Sequence, residues 1–178
     1  MRTHAAVSIV LAITALTIGV SRAPAFAQAL PGGASQLQET HGDWRVNCAQ
    51  QNGQKQCALA QQQSDKDSRQ LILGIEMKAA SVNRADGTLV LPFGLAVDEP
   101  IVLRIDEAGS FQTLHVRTCL PIGCLVPLAF DTAAIASLRK GTTLHVRAAA
   151  AEGGREAAFK ISLNGFGSAL DRTIELSK

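Results

Sequence analysis

Apolar and polar residues alternate along most of this chain. Leu71, Leu73, Ile75 and Met77 occupy every second position, as do Ile101, Leu103 and Ile105, and again Leu144 and Val146. A period of two puts successive side chains on opposite faces of an extended strand, one face toward a core and one toward water. The pattern predicts strands over about 43–50, 55–62, 70–78, 88–91, 101–105, 111–118, 125–130, 142–149 and 156–163, with Gly74 as a bulge candidate and Asp86-Gly87 as a turn. Two segments break the period. Asp131 is suited to cap a helix whose apolar face is Ile135 and Leu138, with Arg139 and Lys140 in the last turn and Gly141 as the stop. Phe166, Leu170 and Ile174 are spaced by four, which predicts a short C-terminal helix packed back on the sheet. Many short strands separated by turn residues predict a mainly all-β, single-domain β-sandwich or partly closed barrel. It has about eight antiparallel strands and one or two short helices, and spans residues 41–178.

The four cysteines fit this frame. Asn52-Gly53 lies midway between Cys48 and Cys57, and Asn-Gly favours a two-residue hairpin turn because both central positions take positive φ. Counting outward, Gln51 faces Gln54 and Cys48 faces Cys57 in a non-hydrogen-bonded pair. Such pairs bring Cα atoms to about 4.5 Å, within disulfide reach. In Cys119-Leu-Pro-Ile-Gly-Cys124, Pro121 and Gly123 take the second and fourth positions of a turn starting at Leu120, so Cys119 and Cys124 face each other one step beyond it. As zinc ligands these spacings fit loosely, and neither pair has the C-x-x-C form of a redox dithiol. Two stapled hairpins point to an oxidising compartment.

The N-terminus agrees. Arg2 precedes an apolar stretch from Ala5 to Val20, and Ala25-Phe26-Ala27 has the small-x-small form of a cleavage site. Residues 1–27 read as a signal peptide, leaving a mature start at Gln28 and no transmembrane anchor; the apolar run is shorter than the roughly 20 residues a span requires. Residues 28–40, rich in Pro, Gly, Ala and Gln, read as a flexible N-terminal extension. The full chain has 17 Lys+Arg and 15 Asp+Glu, but Arg2 and Arg22 belong to the signal, so the mature chain is balanced. No basic stripe with interleaved aromatics is present, which argues against nucleic acid as a partner.

Candidate chemistry is sparse. Thr113-Leu-His-Val-Arg117 recurs as Thr143-Leu-His-Val-Arg147. If those strands are neighbours, His115, Arg117, His145 and Arg147 form a cationic patch that binds an anion or responds to pH. Asp98-Glu99 and Asp106-Glu107 sit beside turns and read as solvated loop charges, without a calcium-loop pattern. Trp44, the lone tryptophan, reads as a core anchor near the first staple. No G-x-S-x-G, H-E-x-x-H, Walker A or dinucleotide motif occurs, and no catalytic, cofactor or metal residue is assigned.

Taken together, Gly42-Asp43-Trp44-Arg-Val-x-Cys48, Cys57, Gly94-Leu-x-Val-Asp98, Cys119-x-Pro121-x-Gly123-Cys124, the helix stop at Gly141 and Ser162-Leu-x-Gly165-Phe166 resemble the invasion-associated locus B protein family over about Gly42 to Leu170. The resemblance implies a Gram-negative exported protein, periplasmic, outer-membrane-associated or secreted. It marks Gly42, Asp43, Trp44, Pro121, Gly123, Gly165, Phe166 and the four cysteines as structural, and carries over no catalytic residue. The expectation is a non-enzymatic binding protein without cofactor whose partner is an envelope or host-surface component. The alternatives are a periplasmic small-molecule binder or envelope-maintenance protein, and thirdly an enzyme of unrecognised type.

Overall fold

The structure, a computed structural model, describes residues 30–51, 53–107 and 110–178. The expected signal peptide and Asn52 of the first turn lie outside the described residues. Two antiparallel sheets face each other. The larger runs β1 (Gln36–His41), β2 (Trp44–Gln51), β3 (Gln54–Ser64), β4 (Leu71–Ser81) and β5 (Arg84–Leu91). It is completed by β9 (Gly123–Phe130), next to β5, and β8 (Thr118–Leu120) at the edge. The smaller is ordered β11 (Glu156–Ser162), β10 (Thr143–Ala149), β6 (Ile101–Ile105) and β7 (Ser110–Leu114). Helix α1 (Thr132–Lys140) links β9 to β10, and α2 (Phe166–Leu176) closes the chain by packing across β2, β3 and β4. The sheets stay open-edged, so the fold is a β-sandwich and not a barrel.

The alternating apolar residues meet between the layers. Val46, Leu59, Leu73, Ile75, Leu89 and Val126 from the large sheet share one core with Ile101, Leu103, Leu144, Val146 and Ile161 from the small one. Each fully buried side chain of this size contributes about 1.5–3 kcal/mol relative to exposure. The α1 cap forms as the residue types require: the Asp131 carboxylate accepts from Ala134 N at 2.9 Å.

Four local expectations are corrected. The flexible extension 28–40 is not loose at its end, because Gln36–His41 pairs in register with β2, from Gln36 opposite Ala49 to His41 opposite Trp44. This strand has no apolar run to announce it. It is held by its ladder and by Arg172 of α2, whose Nε and Nη2 reach the Glu39 carboxylate at 2.7 and 2.8 Å. Asp86-Gly87 is not a turn but the middle of β5, and the chain reverses earlier, between Ser81 and Arg84. Glycine is needed at 87 because a Cβ there would strike the Glu76 carbonyl and the Met77 side chain on β4. Gly74 pairs regularly on both sides; the register shifts fall at Gln63/Ser64 and Ala79/Ser81. The segment 111–118 is not one strand. β7 ends at Leu114, and the chain leaves the small sheet to re-enter the large one as β8.

β11 is an edge strand, and exposed edges invite pairing with other chains. Here β3 covers it with side chains. Gln61 donates to the Ser162 carbonyl and accepts from Ser162 N, while Gln63 donates to the Lys160 carbonyl.

Candidate functional site

Both disulfides form where turn counting places them. Cys48 lies opposite Cys57 with Cα atoms 4.1 Å apart, and Cys119 opposite Cys124 at 3.9 Å. Cys48 and Cys57 are buried beneath the first hairpin, whereas the second staple closes a tip whose Leu120, Pro121 and Ile122 are exposed and whose Gly123 is buried. Gly123 takes φ of +135°, and a Cβ there would run into the Leu91 carbonyl. A side chain at this position would push the tip off β5.

The motif residues near the two ends of the domain, about 120 positions apart, meet in one clasp. Trp44 is fully buried. Its ring meets Phe166 edge-on at 5.3 Å, and its Nε1 donates to the Ser162 carbonyl at 2.9 Å. Beside it, Ser162 Oγ donates to the Asp43 carboxylate at 2.6 Å and Asp43 N donates to the Asn164 carbonyl at 3.1 Å. Gly42 and Gly165 both have positive φ and press backbone on backbone. A Cβ on Gly42 would lie 2.7 Å from Asn164 O, and one on Gly165 would overlap His41 O. The clasp ties the β1–β2 turn to the β11–α2 turn, so these residues hold the fold together.

The expected four-residue cationic patch does not assemble. β10 and β7 flank β6 instead of pairing, His115 and Arg117 lie beyond the end of β7, and His145 sits opposite Arg104. The repeated Thr-Leu-His-Val-Arg segments therefore serve different surroundings.

What the structure supplies instead is a groove of about 520 Å³ on the outer face of the small sheet. It is bordered by Arg104, Arg147, Glu156 and Pro100, and by Gly154 of the β10–β11 turn. His145 and Arg147 do share this outer face, and Arg104 and Lys160 join them from β6 and β11. Arg104 escaped notice in the sequence because it is a single polar residue in Ile-Val-Leu-Arg-Ile; its polar-face parity with His145 appears only once β6 and β10 are paired. Of the acidic pairs, Asp98-Glu99 lies in the exposed loop before β6. Asp106 does more than solvate a turn. At φ +48° its carboxylate accepts from Thr142 Oγ1 and from the backbone N of Thr142 and Thr143. The Thr142 hydroxyl, followed by these backbone donors, holds its carboxyl below the usual range. It thereby joins β6 to the start of β10.

The remaining unusual surface is apolar. Phe93 and Ile122 are each 62% exposed, with Val97 and Leu120 about half exposed. Because Leu91 pairs with Cys124, Phe93 and the Leu120–Ile122 tip emerge at the same end of the sandwich. The sequence marks the hairpin tip by its turn residues; it gave no sign that the apolar side chains there stay uncovered.

The sequence from residue 44 to 173 matches the family described as Invasion associated locus B (IalB) protein. The chain is 41% identical over 178 residues to an Invasion protein B homolog of Brucella abortus, covering all of both chains. It is 38% identical over 151 residues to Invasion protein B of Bartonella bacilliformis, covering 84% of this chain and 81% of that protein. The crystal structure of invasion associated protein b from Bartonella henselae superposes with a TM-score of 0.73 at 34% identity. That match covers 79% of this chain and 96% of the other.

Proposed function

This chain belongs to the invasion associated locus B protein family, and from that premise we propose that it is exported through its N-terminal segment and acts by binding, without chemistry, a component of the bacterial envelope or of a host-cell surface. The observation that carries the reading is the uncovered apolar end. Leu120 and Ile122 project from a tip stapled by Cys119–Cys124, and Phe93 emerges at the same end of the sandwich. Contiguous exposed apolar side chains mark interaction surfaces, and a rigid hairpin presents them at low entropic cost. The pairing of all four cysteines supports an oxidising destination. The relatives carry names of invasion proteins and not of enzymes, which supports binding over catalysis.

The test is fractionation of the native cells with protease applied from outside. Release into the medium, or digestion on intact cells, is the expected result for surface binding. Full protection in a periplasmic fraction refutes the host-surface reading. It leaves the second reading, a periplasmic binder of small ligands, which the groove beside Arg104 and Arg147 favours.

A further inference from the structure

We propose that the groove on the outer face of the small sheet binds a small ligand carrying two oxyanion groups, phosphate or sulfate, gripped by the guanidiniums of Arg104 and Arg147. The inference deepens the small-ligand reading and rests on it for biological meaning, but not for the chemistry.

Arg104 and Arg147 come from the paired strands β6 and β10. Arg147 lies opposite Val102, two residues from Arg104. Diagonal positions of this kind lie about 7–8 Å apart, within mutual reach of long side chains, so both guanidiniums can converge on one ligand carrying two linked oxyanion groups. The surroundings add positive charge. Lys160, His145 and Arg104 lie directly opposite one another across β11, β10 and β6. With strands about 4.8 Å apart, that row spans about 10 Å. The charges of Lys160 and Arg104 share this face with Arg147 and add to its attraction for an anion.

The arginines are only loosely committed within the chain. Arg104 Nη2 is 3.6 Å from Glu107, whose side chain is 91% exposed, and Arg147 Nη1 is 3.4 Å from the exposed Glu156. A charge-assisted pair closes to about 2.7–2.9 Å, as Arg172 and Glu39 do elsewhere in this molecule. Arg104 Nε is buried and has no hydrogen-bond partner among the described residues. A buried donor left unmet is unfavourable, and an oxyanion lying along the Nε–Nη edge would satisfy it. The groove volume, about 520 Å³, is in the range of small-molecule sites.

The experiment is calorimetric titration of the oxidised protein with pyrophosphate and, separately, with a disulfated disaccharide, at low and high salt. Saturable one-to-one binding of either probe is expected, weakening as salt rises; the tighter probe identifies phosphate or sulfate as the preferred source. Arg104→Gln and Arg147→Gln should each weaken it at least tenfold. Arg104→Lys, which keeps the charge and loses the fork, should fall between. Arg45→Gln, on the outer face of the large sheet, should leave it unchanged. Circular dichroism confirms that each variant is folded. The proposal is overturned if neither probe binds more tightly than about 1 mM, or if Arg45→Gln weakens binding as much as the groove variants. Neither result bears on where the protein resides, so failure here is distinguishable from failure of the export reading.

Discussion

Replacing Trp44 by alanine tests whether the clasp is the keystone of the fold. The indole is fully buried. A buried tryptophan removes about 150–250 Å² from water, which at about 25 cal/mol per Å² is worth about 4–6 kcal/mol. Measured large-to-small changes of this kind cost about 3–5 kcal/mol. The lost hydrogen bond adds little, because the Ser162 carbonyl that accepts from Trp44 Nε1 also accepts from Gln61 Nε2 at 2.9 Å and is not orphaned. The expected loss is therefore about 4 kcal/mol, a large share of the roughly 5–15 kcal/mol that stabilises a domain. Trp44→Phe retains a ring against Phe166 and should lose only about 1–2 kcal/mol. Urea unfolding of the oxidised protein followed by far-ultraviolet circular dichroism is the assay, since the chain has one tryptophan and the variants lose its fluorescence. The midpoint should fall at an unchanged slope. A loss below about 1 kcal/mol for Trp44→Ala, or intact stability with lost ligand binding, would refute the reasoning and make Trp44 a recognition residue.

Three further outcomes follow from the same geometry. Gly165→Ala, at φ +84° and pressed on the His41 carbonyl, should destabilise by about 2 kcal/mol or more in the same urea assay, although it removes no side-chain contact. Cys119→Ser with Cys124→Ser should cost about 2 kcal/mol by loop entropy, with faster amide exchange confined to β8 and its turn, since this staple closes a three-residue edge strand. Arg172→Met should lower the melting temperature slightly at neutral pH, and the difference should vanish in acid. The hydrogen bond from Arg172 holds the Glu39 carboxyl below its ordinary 4.5, so the contribution is complete above that value and is lost as pH falls through the lowered one; thermal melts of both proteins from pH 7 to 2 read it directly.

Architecture was legible wherever one residue type solves one local problem. Asn-Gly and Pro-x-Gly each admit few turns, so the turns set the cysteine pairings. Asp131 opens α1 because side-chain capping is local, whereas Gly141 ends it at an ordinary φ of −75° and is glycine because a Cβ would strike Ile105 on β6. The misreadings share the opposite cause. Gly87 looks like a turn glycine until β4 lies beside it and its missing Cβ becomes a matter of packing. β1 has no apolar run, and its stabilisation comes from Arg172, over 130 residues away. The cationic patch assumed that two similar segments are neighbours, but the sheet inserts β6 between them. Pairing across the sheet also decides which cations share a face, which is why Arg104 enters the groove unannounced.

The residues that make this chain recognisable are chiefly those that hold it together. Gly42, Asp43, Trp44, Gly165 and Phe166 converge on one clasp, and Gly123 with the paired cysteines sets a hairpin tip. Their constraints are steric: no side chain fits where backbone meets backbone, and a smaller ring leaves a cavity. Those constraints are indifferent to what the molecule binds. The surfaces proposed to bind are built from other positions. Phe93, Leu120 and Ile122 form the apolar end, and Arg104 and Arg147 line the groove. Exchanging any of these for a polar residue of similar size leaves the clasp and core intact. Family membership therefore transfers the fold far more securely than the partner, and recognition by this protein has to be measured at the apolar end and the arginine groove.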